Sequence, residues 1–304
     1  MPNTANTVKT SSPLPSLVTN LIGYLQGSEL LLLIEPASLA IVASQGRGKM
    51  RQQRYLADWE NEALQHATLA EQLAQIEIAL REKLANVAAT APQVSATRIV
   101  LGDEWARYFV VTPANNTQSM ADCMASAQMR FHTLFSEPLA AWQIQAAWQA
   151  RQAFLACALP QALLAMLERV CSAHGRKIIS VHSHLLATCA QFSQQIASNG
   201  WLMHFAAHSV QILALEKGLC KSIQTSYLTP DFWPTLGSLQ SLVQREALRL
   251  QVVPPSAITL AGQYPRTWQT QVVADTQISA LPGLTLTNTM NINPALHMLH
   301  GVLA

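Results

Sequence analysis

A pattern of three short apolar runs constrains this chain more than any other feature of its sequence. Trp201–Leu228 divides into Trp201–Phe205, Val210–Leu215 and Leu219–Leu228, separated by small or turn-forming residues, including Lys217–Gly218. Runs of this length, bounded by turn residues, are typical of buried β-strands. The segment is therefore predicted to be a three-stranded meander.

The same pattern occurs earlier in the chain, in Leu30–Leu56. Aligning Ser38 with Ser209 brings apolar residues of the two segments into register at an offset of about 171 residues. The matched pairs are Leu31 with Leu202, Ile34 with Phe205, Ile41 with Ile212, Val42 with Leu213 and Ala43 with Ala214. The repeat predicts two homologous halves. The alternative is that two apolar hairpins have similar sequences by chance.

The rest of the chain alternates predicted helices and strands, which favours an α/β fold with two lobes and a cleft between them. Long helical stretches, such as Asn61–Val87, have apolar residues at helical spacing and are interpreted as helices packed on the chain's own sheets. The predicted organisation is a disordered extension at 1–28, a first lobe at 29–182, a second lobe at 183–262 and a tail at 263–304, with an edge strand at 272–278 and a short helix at 294–303.

The composition limits the function classes. Only 12% of the residues are charged, against about 25% in a typical soluble protein, which indicates a surface covered by a partner or a large buried core. The formal net charge is +2. The sequence lacks a basic cluster with interleaved aromatic residues, which would predict nucleic-acid binding.

The cellular location is predicted from the same composition. The 5 cysteines are widely spaced and form no C-x-x-C motif, as expected for reduced thiols in the cytoplasm. No apolar run reaches the roughly 18 residues that would span a bilayer, and the polar N-terminus lacks the apolar core of a secretory signal. We therefore expect a cytoplasmic chain without direct membrane insertion, which reaches a membrane only through a partner.

Three segments carry a family resemblance. They are RIVLGDEWARYFVV at 98–111, KIISVHSHLLATCAQF at 177–192 and GWLMHFAAHSVQILALEKG at 200–218. Together with the two meanders, they resemble the actin-like, ribonuclease-H-type ATPase superfamily. Within it, the chain is most similar to the type IV pilus assembly protein M family and to the cytoplasmic domain of the type II secretion L protein, over roughly residues 29–262.

The resemblance implies a phosphate loop of Asp-x-Gly type at the first turn of each meander, where backbone N–H groups approach the phosphates. Here the first turn is Glu35–Pro36–Ala37 and the second is His204–Phe205–Ala206. Proline lacks a donor, and neither turn has the glycine. The degenerate nucleotide-cleft positions, called the phosphate-loop positions below, are Glu35, Ala37, Ser38, His204, Ala206 and Ser209. We therefore expect no catalytic residue and no cofactor, while an active form would bind ATP and Mg²⁺.

Two other groups of residues are candidates for chemistry. His182 and His184 would share one face if both lay on a strand, and His204 or His208 would then be candidates to join them as metal ligands. No carboxylate is placed near them by the sequence, so ordinary histidines without a metal are expected. Asp103 and Glu104 are predicted to be solvated residues of a hairpin turn.

The sequence thus predicts a non-catalytic actin-like scaffold of a bacterial cell-envelope machine. Its expected partner is the cytoplasmic peptide of a bitopic inner-membrane assembly protein, bound in a groove of one lobe, and self-association into a homo-oligomer is the alternative that would hide the same apolar surface. The alternative functions are a nucleotide-binding actin-like ATPase with relaxed phosphate loops and a small-molecule kinase-like enzyme of the same superfamily.

Overall fold

The structure is a computed structural model. It describes residues 29–45, 52–90, 94–115, 117–206, 208–228, 235–265, 268, 272–273, 276–281 and 285–286. The predicted extension at 1–28 and the predicted helix at 294–303 lie outside these residues. No helix within the described ranges combines the length and the apolar character needed to cross a bilayer.

The first lobe is built on a five-stranded sheet in the order β3-β2-β1-β4-β8. Its strands are β1 (Glu29–Glu35), β2 (Ser38–Gln45), β3 (Gln52–Glu60), β4 (Ala96–Leu101) and β8 (Lys177–Ser183). The first three form the predicted antiparallel meander, whereas β4 pairs parallel with both β1 and β8. Its helices are α1 (Leu69–Thr90), α3 (Gln161–Ala173) and α4 (His184–Gln191).

Both faces of this sheet are covered, which explains the unbroken apolar run of β1. Leu30 and Leu32 face one layer, which includes Leu80 of α1 and Leu167 of α3. Leu31, Leu33 and their neighbours pack on the opposite face with Ala187 of α4. A strand that is buried on both faces reads as continuously apolar instead of alternating.

The second lobe repeats this arrangement in a six-stranded sheet, ordered β11-β10-β9-β12-β15-β14. Its elements are β9 (Gly200–Phe205), β10 (Ser209–Glu216), β11 (Leu219–Tyr227), helix α5 (Leu236–Leu250), β12 (Ala257–Gly262), β14 (Val272–Val273) and β15 (Thr276–Ala280). A separate two-stranded ladder joins β13 (Tyr264–Pro265) to β16 (Thr285–Leu286).

The two lobes are related as the sequence repeat predicts, and that prediction is confirmed. Each meander lies in its own sheet, and in each the first strand pairs parallel with a later strand. One hydrogen bond recurs in both lobes. Gly102 N–H donates to Ile34 O at 2.7 Å, and Gln263 N–H donates to Phe205 O at 2.8 Å. The second sheet continues through β15, beyond residue 262, where the predicted second lobe ends.

A smaller unit is inserted in the first lobe between β4 and α3. It consists of β5 (Arg107–Val111), helix α2 (Met120–Phe135), β6 (Trp142–Ala146) and β7 (Phe154–Pro160). The strands form an antiparallel sheet in the order β5-β7-β6. Helix α2 covers one face of this sheet, where Phe109, Phe131 and Phe154 lie in one buried cluster.

Helix α4 lies between the two lobes and packs on both. Its Ala187 belongs to the core of the first sheet, while Leu185 and Cys189 join Leu202 and Leu213 of the second lobe. The cluster that spans the lobes also includes residues of β5 and β7, so a continuous apolar core joins the lobes.

Candidate functional site

The first phosphate-loop turn is packed closed. Glu35, Ala37 and Ser38 are at most 8% exposed. Ser38 Oγ donates a hydrogen bond to Glu35 Oε2 at 3.1 Å, and Asn61 N–H donates to Ala37 O at 2.8 Å. Side chains and backbone of this turn are therefore engaged with each other.

The second turn occupies the equivalent position of the second lobe and is closed in the same way. His204, Ala206 and Ser209 are at most 5% exposed. Ala206 N–H donates to Ser209 O at 2.8 Å, and Leu228 N–H donates to His208 O at 2.9 Å. The structure thus places the phosphate-loop positions at matching places in the two lobes, with their polar groups turned inward.

Asp103 is not the solvated turn residue that the sequence predicts, and that prediction is wrong. It opens a short 3-10 helix directly after β4 and is only 3% exposed. Its Oδ1 atom accepts hydrogen bonds from Leu185 N–H at 3.0 Å and from the hydroxyl of Tyr108. The second lobe covers this loop, so His204 Nδ1 lies 3.0 Å from Asp103 Oδ2.

The two histidines of the H-x-H motif separate, so the prediction that they share a strand face is also wrong. Strand β8 ends at Ser183, and His184 is the first residue of α4. The imidazole of His184 therefore meets that of His204, with 4.5 Å between ring centroids and an interplanar angle of 84°. His182 instead borders a cavity, and His208 is exposed.

A buried cluster of Asp103, His184 and His204 results, which we call the interlobe cluster. One ligand-type atom of each residue lies within 4.8 Å of the others. The sequence prediction that no carboxylate lies near the histidines fails because Asp103 is 81 positions before His184 and reaches it only through the fold. One signal was available. Asp103 follows a strand parallel to β1, and the carboxyl ends of parallel strands meet at one edge of a sheet.

Burial and neighbouring charges set the protonation of this region. Burial, followed by the neighbouring His204, lowers the pKa of His184 to about 3. Burial by itself would raise the pKa of Asp103, but the contact with His204 outweighs it and the pKa falls. Asp103 is therefore ionised and His184 neutral near pH 7.

The carboxyl groups beside the cluster behave in the opposite way. Burial raises the pKa of Glu35 to about 8, with the charge of Glu104 adding to the effect, and burial likewise raises the pKa of Glu104 to about 7. A Cβ atom on Gly102 would lie 2.6 Å from Glu104 Oε2 and 3.2 Å from Glu35 Cγ. A side chain at position 102 would therefore displace the Glu104 carboxylate and press on Glu35.

We expect Glu35→Gln to remove a pH dependence of stability. Between pH 4.5 and about 8, native Glu35 holds a proton that the unfolded chain releases, so this residue makes the protein less stable as the pH rises. The glutamine still accepts the hydrogen bond from Ser38. Urea unfolding at pH 5 and pH 8 measures this effect. The free energy of unfolding of the variant, relative to that of the wild type, should be higher at pH 8 than at pH 5 by on the order of 2 kcal/mol.

Glu71→Gln is the matched control. Glu71 is exposed, and hydrogen bonds from Thr68 lower its pKa, so its contribution is lost at acid pH instead of at pH 8. A stability difference between Glu35→Gln and the wild type that is the same at pH 5 and pH 8 would contradict a protonated, buried Glu35.

Two cavities flank the region where β5 and β11 meet. The larger, of about 940 Å³, lies between the inserted sheet, α3, β8 and the second lobe. The smaller, of about 580 Å³, lies between β5, α2 and β11. Of the six phosphate-loop positions, only Ser209 borders either of these two cavities.

This chain is similar to known proteins in its fold. No protein-family model matches the sequence, and no curated protein matches it significantly. Among solved structures, a chain of the PilM–PilN type IV pilus biogenesis complex is similar with a TM-score of 0.56 and 13% identity, covering 92% of this chain and 99% of that one.

Two further structures agree. The cytoplasmic domain of EpsL, an inner-membrane component of the type II secretion system of Vibrio cholerae, gives a TM-score of 0.52 at 12% identity, covering 90% of this chain and 93% of its own. A Bacteroides thetaiotaomicron protein of unknown function with an actin-like ATPase fold gives 0.53 at 9% identity, covering 90% and 95%. The chain therefore has the bilobal actin-like fold.

Proposed function

We propose that this chain is a non-catalytic actin-like scaffold of a bacterial cell-envelope machine related to type IV pilus or type II secretion assemblies. It acts in the cytoplasm, at the inner membrane, by binding a short cytoplasmic segment of a bitopic membrane protein. The observation that carries the proposal is the 940 Å³ cavity, which we call the groove.

The groove exists because α2 covers one face of the inserted sheet, whereas the interlobe core covers the opposite face only in part. Helix α2 packs on the face that carries Phe109 and Phe154. Side chains of the opposite face, including Leu155, Cys157 and Leu159, border the groove. Leu155 and Leu159 remain partly exposed there, so an apolar surface is available to a partner.

The walls and rim favour an extended apolar segment. Leu202, Leu213 and Leu215 of the second lobe form an opposing apolar wall, while Gln143 and Gln145 line the groove with uncharged polar groups. Among the described strands, β6 pairs only with β7, which leaves its outer edge able to pair with an added strand. Peptides often bind by such strand addition, with alternate side chains in apolar pockets.

The comparisons support a partner at the inner membrane. One similar chain belongs to a complex of PilM with PilN, and another is the cytoplasmic domain of an inner-membrane secretion component. The charged fraction of only 12% is consistent with a surface that a partner covers.

The closed phosphate-loop positions support the absence of catalysis. A phosphate loop needs backbone N–H groups that reach the ligand, but Pro36 has none and Ala206 N–H is bound to Ser209 O. Glu35, with its pKa raised to about 8, is neutral at pH 7 and is a poor ligand for Mg²⁺, which prefers ionised carboxylates. The residues present do not fit Mg-ATP.

We expect the purified protein neither to bind nor to hydrolyse Mg-ATP. Titration calorimetry should give no heat of binding up to millimolar nucleotide, and phosphate release should stay at the buffer rate. Glu35→Ala should leave both results unchanged. Micromolar binding with magnesium-dependent turnover that Glu35→Ala abolishes would instead establish the ATPase alternative.

We expect Leu155→Asp to weaken peptide binding by about 30-fold or more, because a carboxylate in an apolar floor costs about 2 kcal/mol or more. The probes are peptides that tile the cytoplasmic segment of each bitopic membrane protein whose gene neighbours the gene for this chain. Fluorescence anisotropy of each labelled peptide measures the affinity, and circular dichroism verifies that the variant folds.

Leu248→Asp is the matched control, since Leu248 is 81% exposed on α5 and lies outside the groove. It should bind the same peptide with wild-type affinity. The groove proposal fails if no peptide binds the wild type or if both variants lose the same affinity.

A further inference from the structure

We propose that the interlobe cluster is a binding site for one divalent transition-metal ion, which Asp103, His184 and His204 ligate and which fastens the two lobes together. The inference does not depend on the groove or its peptide.

The three side chains come from three elements that the fold brings to one point. Asp103 follows β4 in the first lobe, His184 begins the interlobe helix α4, and His204 lies on β9 of the second lobe. Their candidate ligand atoms lie within 4.8 Å of one another. An ion at this point would therefore join both lobes and the helix between them.

One polar atom of each side chain is buried and has no polar contact with any described residue outside the cluster. Asp103 Oδ2, His204 Nδ1 and His184 Nε2 are all buried, and none makes a hydrogen bond of good geometry within the described part of the chain. Asp103 Oδ2 and His204 Nδ1 are 3.0 Å apart, a separation that two ligand atoms of one ion can adopt. Buried polar atoms are nearly always satisfied, and an ion is one way to satisfy them.

The opposite atoms of two ligands are held as metal sites require. Asp103 Oδ1 accepts from Leu185 N–H at 3.0 Å and from the Tyr108 hydroxyl. His204 Nε2 lies 3.3 Å from Thr188 Oγ1. Contacts of this kind fix the ring orientation and the tautomer of a ligating histidine. The carboxylate and one imidazole are thus preoriented with their free atoms toward the centre.

The ligand set selects the class of ion. Two imidazoles and one carboxylate suit Zn²⁺, Fe²⁺ or Co²⁺, whereas Mg²⁺ and Ca²⁺ prefer oxygen ligands. A tetrahedral ion needs a fourth ligand. Glu104 is not part of the group whose ligand atoms converge, so a water molecule would take that position.

Metal analysis of the tag-free protein tests this inference. The wild type is treated with chelator and then dialysed against Zn²⁺. Mass spectrometry that quantifies the metal should then find about one Zn²⁺ ion per chain. Its melting temperature should rise by about 5 °C or more, because an ion that binds only the folded state stabilises it. Co²⁺ should give the visible absorption bands of a tetrahedral site.

The variants decide which residues hold the ion. Asp103→Asn keeps an acceptor for Leu185 N–H, and both it and His184→Gln should lose the bound equivalent and the Co²⁺ spectrum while circular dichroism shows a folded chain. His208→Gln, which replaces an exposed histidine of the second lobe, should bind Zn²⁺ as the wild type does. A wild type that retains no Zn²⁺ and shows no thermal shift overturns the proposal, as does full binding by His184→Gln.

Discussion

Replacing Gly262 with alanine is expected to lower the free energy of unfolding by more than about 3 kcal/mol, through a strained backbone and an overpacked contact. Gly262 has a φ of +77° and ends β12 against β9. A Cβ atom here would lie 2.1 Å from Phe205 O, the same oxygen that accepts the hydrogen bond from Gln263 N–H. The added methyl group therefore forces the two central strands of the second lobe apart.

Gly237→Ala provides the control for the Gly262 experiment. Gly237 lies in α5, and a Cβ atom there would meet only Thr235 Oγ1 at 3.8 Å. Alanine should be neutral or should stabilise by up to about 1 kcal/mol. Urea unfolding monitored by circular dichroism compares the two variants, and an unchanged midpoint for Gly262→Ala would contradict the strand geometry described above.

The second large effect is expected at Asp103. Its replacement by alanine leaves Leu185 N–H and the Tyr108 hydroxyl without their acceptor and removes the carboxylate beside His204. Breaking a buried pair on one side typically costs about 3–5 kcal/mol. We expect a loss of that size in urea unfolding with EDTA present, so that a bound ion does not contribute.

Asp122→Ala removes the same group from an exposed position. Asp122 accepts hydrogen bonds from the backbone of Gln118 and Ser119 at the start of α2, and such caps are worth about 1 kcal/mol. If Asp103→Ala costs no more than Asp122→Ala, the interlobe cluster does not hold the lobes together.

The scaffold proposal has a mechanical consequence for the lobes. Closure around a ligand requires two bodies that move about a hinge. Here, Leu185 and Cys189 of the interlobe helix pack directly against Leu202 and Leu213 of the second lobe. This shared apolar core opposes opening, in agreement with a chain that holds its lobes fixed and presents the groove instead.

The sequence by itself determined the two meanders and their relationship. Strand and turn signals are local, since they arise from apolar runs and the turn residues between them. The alignment of Ser38 with Ser209 therefore reproduced the equivalence of β2 and β10 without any knowledge of contacts. The interpretation of the turns at Glu35 and His204 as poor phosphate loops rests on the family resemblance and stays a prediction.

Only the tertiary structure decided the surroundings of Asp103 and His184. Whether a turn residue is solvated depends on what covers the turn, and here the covering element, β9, lies about 100 residues further along the chain. The start of α4 likewise decides the direction of the His184 side chain. His184 is the first residue of this helix, whereas the sequence suggested that it lies on a strand. Local secondary-structure propensity does not depend on such long-range packing. The buried cluster and the groove therefore arise from the docking of the two lobes and the inserted sheet.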